Sequence, residues 1–181
     1  MKFAINVKNQ RRSVKTRAPC VCFRGDKNMS WFKPFGLIAM IIILIPNAVF
    51  AVICKDGFDN IYQNKAVVMF EQIGRYGCFI TMVFNLPFTV FGFCSDIAFA
   101  IYLAANAVLI FAYCIIWIVC FRKNSLFRAI MLSVLPSAVF CLSGILCRSI
   151  LLTLFAVIFA PCHITLSCKN VLLAKSPQNS K

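Results

Sequence analysis

Long uninterrupted apolar runs, with no alternation of apolar and polar positions, set the pattern of this chain. Residues 35–54 contain no charge, and the run is long enough for a helix to cross the roughly 30 Å hydrocarbon core of a bilayer at about 1.5 Å per residue. Residues 97–121 form a second such run. Residues 129–147 and 149–168 form two more, separated by Arg148 alone, a spacing that predicts a tight helical hairpin. Lipid cannot satisfy open strand edges, and period-two alternation is absent, so every predicted spanning element is a helix.

The stretch from Val67 to Phe93 is harder to place. Its uncharged part, residues 77–93, is near the short limit for a span and is interrupted by Asn85-Leu86-Pro87. Glu71 and Arg75 precede it, four residues apart, so that both fall on one helix face. Two architectures follow, both all-α transmembrane bundles. In the first, residues 74–93 form the second of five spans. In the second, the segment is re-entrant and four spans remain. The short Cys94-Ser95-Asp96 linker reads best as a hairpin turn and favours five. The domain organisation is then a basic leader over 1–33, a helical membrane domain over 34–170 and a polar tail over 171–181.

Composition agrees with lipid as the solvent. Hydrophobic residues make up 61% of the 181 residues and charged residues 13%. A water-soluble domain averages about 25% charged and could not cover this much apolar surface. The net charge of +14 would suit nucleic acid, but its distribution does not. Nine of the 19 Lys and Arg precede Phe35, and most others lie between apolar runs, as in cytoplasmic flanks held by anionic headgroups. The bilayer is therefore the expected partner, and nucleic acid is not. The leader lacks the periodicity of a folded domain and reads as disordered or surface-associated. Met29 opens a second possible start that would leave the first 28 residues outside the working chain.

Eleven cysteines suggest disulfides or metal, but no C-x-x-C occurs and the chain has one histidine. Thiols within apolar runs act as small hydrophobes, so neither a metal nor a cofactor is expected. The chemistry rests instead on polar groups inside the membrane, where ionisable residues are costly and usually have a role. Glu71 and Arg75, flanked by Gly74 and Gly77, read either as an interfacial ion pair or as a gate with a proton-linked carboxylate. His163 follows Pro161, and its imidazole could bond a carbonyl that the proline frees or carry a proton near neutral pH. Asn47 and Asn85 lie beside Pro46 and Pro87, which makes them candidates to line a pathway. Asp96 reads as a helix cap and Arg148 as a turn residue that snorkels. Ala100, Ala104 and Ala107 form a small-residue stripe suited to helix packing.

Pro46-Asn47-Ala48-Val49-Phe50 and Pro136-Ser137-Ala138-Val139-Phe140 are similar, with Pro87-Phe88-Thr89-Val90-Phe91 a looser third copy. Repeats with broken helices are a transporter device, although such composition also arises by chance in apolar spans. No nucleophile elbow, P-loop, H-E-x-x-H or paired intramembrane aspartates are present, which favours a non-enzymatic reading.

The stretch Glu71-Gln72-Ile73-Gly74-Arg75-Tyr76-Gly77-Cys78-Phe79, followed by Met82, Asn85 and Pro87, resembles small multi-spanning membrane proteins of Gram-positive bacteria. So do Asn124-Ser125-Leu126-Phe127-Arg128-Ala129 and Phe159-Ala160-Pro161-Cys162-His163-Ile164. The resemblance covers about residues 33–173 and implies a cell-membrane location but no activity. The expected function is a small transporter-like or channel-like membrane component that self-associates or joins another membrane protein. An embedded enzyme using His163 or Glu71, and an accessory or immunity-type protein acting by helix packing, remain open beside it.

Both architectures place the basic loop around Arg122 and the C-terminus on the cytoplasmic side. Single cysteines, Ser125→Cys and Ser176→Cys in a cysteine-free background, should resist an impermeant thiol reagent added to intact cells. Labelling of either position would reverse the orientation.

Overall fold

A computed structural model describes residues 31–54, 61–121 and 125–175. The sequence expectations for residues 1–30, the loop at 122–124 and the end of the tail lie outside these residues. Five helices are present: α1 (Pro34–Ile53), α2 (Lys65–Val83), α3 (Asp96–Cys120), α4 (Leu126–Leu146) and α5 (Ile150–Lys175). The chain is an all-α bundle, and α1, α3, α4 and α5 are each long and apolar enough to cross a membrane. The protein is accordingly an integral, multi-pass membrane protein.

Local chemistry fixes where the helices begin. Pro34 occupies the first turn of α1, where its missing N–H costs nothing. The Asn64 side chain accepts from the amides of Ala66 and Val67 at the start of α2. Ser95 Oγ accepts from Ala98 N at 3.1 Å, and Ser125 Oγ from Arg128 N at 3.2 Å. These are side-chain N-caps that meet otherwise orphaned amides. Asp96 was expected to cap α3, but Ser95 does so and Asp96 stands in the first turn, where its charge still suits the helix dipole.

The second helix differs from its expected position at 74–93. It starts nine residues earlier, at Lys65, and stops at Val83. Pro87 has no N–H to continue a helical ladder and disfavours helical geometry in the residue before it. The chain therefore leaves the helix at Phe84 and runs through a turn to Ser95. Phe88 there has φ 66° and is 95% exposed. This turn is tied into one end of the bundle. Lys33 N donates to Val83 O, Asn85 N to Trp31 O, Phe91 N to Arg148 O, and Ile150 N to Thr89 O. Residues 31–33, expected within the leader, thus belong to the fold. At the other end α5 continues to Lys175, past the expected close of the membrane domain at 170.

Successive helices alternate in direction. The starts of α1, α3 and α5 meet the ends of α2 and α4 at the laced end. Tyr62 N donates to Asn170 Oδ1 at 2.9 Å at the opposite end. Around the bundle the helices pack in the cyclic order α1, α2, α5, α4, α3 and back to α1. The α2 helix is the most polar, yet it turns apolar side chains outward. Its exposed stripe is Met69, Ile73, Tyr76 and Ile80, whereas Glu71, Gly74, Cys78 and Thr81 face inward. A water-soluble helix would show the reverse. With four unambiguous spans beside it, α2 completes the five-helix bundle.

Pro46 and Pro136 lie inside continuous helices, while Pro87 lies in the turn, so the three similar segments do not share a conformation. Ala100, Ala104 and Ala107 are exposed and do not lie in the interior of the bundle formed by the described residues. The close contacts are at glycines elsewhere. A Cβ on Gly74 would lie 2.9 Å from the Phe159 backbone N and Cα, and one on Gly144 would lie 2.9 Å from Thr153 N. Replacing Gly74 with Ala should therefore push α2 from α5 at a cost of about 1–3 kcal/mol, the usual range for overpacking. A detergent melting curve for Gly74→Ala checks this; an unchanged midpoint would show that α5 yields freely.

Candidate functional site

The close approach at Gly74 sets two helix faces against each other. One turn below it on α2 stands Glu71, and one turn beyond Phe159 on α5 stands His163. Glu71 is the chain's one glutamate, and its side chain is 0% exposed. Arg75 Nε donates to Glu71 Oε1 at 2.9 Å, and Arg75 Nη2 contacts the same oxygen. His163 Nδ1 lies 3.0 Å from that oxygen as well. Three polar contacts thus converge on Oε1, while Oε2 has no hydrogen-bond partner among the described residues.

The partners differ in access. The Arg75 side chain is 34% exposed and that of His163 20%. The imidazole stacks on the Phe159 ring, with centroids 4.6 Å apart and an interplanar angle of 20°. That stacking and the contact to Glu71 fix the ring in plane and in direction. Paired as a carboxylate with the guanidinium, Glu71 can only accept. The imidazole nitrogen facing it, Nδ1, is then the N–H donor, and Nε2 makes no hydrogen bond among the described residues.

The candidate residues separate into two groups. Glu71, Arg75 and His163 meet in one cluster. Asn47 stands at the same depth: Nδ2 donates to Tyr113 Oη at 2.8 Å and to Ile43 O at 3.1 Å. Asn47, Glu71 and Tyr113 each lie about six or seven residues from the loop-side end of their helix, roughly 10 Å along it. Asn85 is not part of this level. It sits past the end of α2, in the laced turn about 20 Å away along the helix axis.

His163 was considered as a partner for a carbonyl freed by Pro161; its contact is instead with Glu71, 92 positions earlier. Tyr113 escaped sequence analysis, because one tyrosine in an apolar run carries no motif. A signal was available in the spacing of Tyr102, Asn106, Tyr113 and Trp117, which places them on one face of α3. All four are buried. Asn106 and Ser143 serve α3–α4 packing, with Ser143 Oγ donating to Asn106 Oδ1 at 3.3 Å. Comparison with family models, with curated proteins and with solved structures finds no match for the chain.

The unequal burial of the pair gives its mutations a sign. Arg75→Gln leaves a wholly buried carboxylate with only the imidazole beside it, and should cost about 3 kcal/mol of stability. Glu71→Gln leaves a cation that already reaches the surface and should cost less. The double variant Glu71→Gln/Arg75→Gln should recover most of the Arg75→Gln loss, because no orphan charge remains. Detergent melting of the three variants measures this; additive losses would show that the pair is solvated.

Proposed function

We propose that this protein is a small transporter-like component of a bacterial-type cell membrane, with the Glu71–Arg75–His163 cluster as its working centre. The observation that carries this reading is the wholly buried carboxylate with one oxygen shared by two cationic or protonatable partners and the other unpartnered. Helix packing in lipid is served by uncharged groups such as Ser143 and Asn106, at around half to two kcal/mol per contact. An ionisable cluster costs more than that to keep, and the usual return is a pathway or a proton relay. The embedded-enzyme reading lacks a nucleophile at the imidazole, since Glu71 is the hydrogen-bond partner of His163 among the described residues. A five-helix bundle leaves little room for a private pathway, which favours association with a second copy or another membrane protein.

Access of water to the centre tests the reading. His163 is the one histidine in the chain, so its carbethoxylation by diethyl pyrocarbonate is read unambiguously by peptide mass. The full chain in lipid nanodiscs at neutral pH should be modified at His163 while folded. Modification only after denaturation in SDS would identify a dry centre and favour a protein that acts by helix packing.

A further inference from the structure

The chemistry of the ligand follows from the charge of the cluster. Taken with Glu71 ionised, Arg75 protonated and the imidazole neutral, the cluster carries no net charge. Each unpaired ion added in a low-dielectric site costs several kcal/mol. An anion alone would leave the site at minus one, and a proton alone would leave it at plus one. One of each restores neutrality.

A guanidinium carries five N–H groups in a planar fork. Arg75 uses Nε and Nη2 on Glu71, and its Nη1 makes no hydrogen bond among the described residues. The side chain is also the most exposed of the three. Such a fork suits a planar carboxylate better than a spherical ion. The proton has its own acceptor, since His163 Nδ1 faces Glu71 and Nε2 is free. We propose that the cluster binds a small monocarboxylate together with one proton, the carboxylate on the remaining N–H groups of Arg75 and the proton on Nε2 of His163. This rests on the cluster being the working centre, and it names the substrate class: a monovalent organic anion carried in electroneutral company with a proton taken from water.

The titratable groups placed against His163 are Glu71, with Arg75 on the same carboxylate oxygen, and Cys162 next to it on α5. Further along are Cys78, two turns from Glu71 on α2, Cys141 of α4, and Tyr113 on α3. Thiols and phenols are ordinarily neutral at pH 7, so Glu71 and Arg75 set the field. Protonated His163 attracts the anion, and by linkage the bound anion must favour protonated His163 by the same factor.

The full chain, purified on a tag without histidine and labelled with [15N]histidine, gives one imidazole to titrate by NMR in nanodiscs. Saturating formate or pyruvate should raise the midpoint of His163 by about one pH unit or more, a coupling of about tenfold, relative to chloride at the same ionic strength. Arg75→Lys keeps the charge but loses the fork, and should lose most of that shift. Glu71→Gln makes the resting cluster positive, so formate should bind at pH 8 at least about tenfold more tightly than to the native protein. A midpoint that titrates but ignores both carboxylates overturns the inference and leaves the working centre in place. An imidazole that neither titrates nor reacts with diethyl pyrocarbonate overturns both.

Discussion

In a bilayer no water stands by to solvate a charge, and that constraint organises this molecule around Glu71. The carboxylate is wholly buried, so protein groups must supply what water would. Arg75 does so from one turn along the same helix. His163 does so from another helix, and only because α2 and α5 come close enough at Gly74 for the Phe159 backbone to fit against it. Close packing of small residues and satisfaction of a buried charge are usually separate devices in membrane helices. In this bundle the first makes the second possible.

The polar residues are distributed by depth. Asn47, Tyr113, Glu71, Arg75 and His163 share one level near the loop-side end of the bundle. Asn106 and Ser143 bind α3 to α4 at another level, and the laced turn with Asn85 closes the far end. Outside these places the helices present Ile, Val, Leu and Phe to the surroundings. Lipid thus meets a largely apolar exterior, while Arg75 and the imidazole keep partial exposure and Glu71 has none.

Proline acts in opposite ways along the chain. Pro46, Pro136 and Pro161 are carried inside continuous helices, where the freed carbonyls can be met by neighbouring helices and side chains. Pro87 ends a helix instead. It follows Asn85 at the tip of α2, where the chain can pair with residues 31–33 and 148–150 through backbone bonds. The same residue type therefore yields a kink or a stop according to whether neighbouring backbone is at hand.

The amino-acid sequence by itself determined that this chain is a helical membrane protein, because apolar length and the absence of alternation depend only on local composition and on the intolerance of lipid for open backbone. It also determined the pairing of Glu71 with Arg75, since one helical turn is a local distance. The true bounds of α2 were only partly legible: Asn64 and Pro87 marked them, but apolarity drew the reading towards residues 74–93. Tertiary structure alone decided that His163 meets Glu71, that Tyr113 joins Asn47, and that Asn85 stands apart. Those contacts depend on which helices become neighbours and at what height, and hence on the glycine contacts and the cyclic packing order. No periodicity within one segment encodes the height of another.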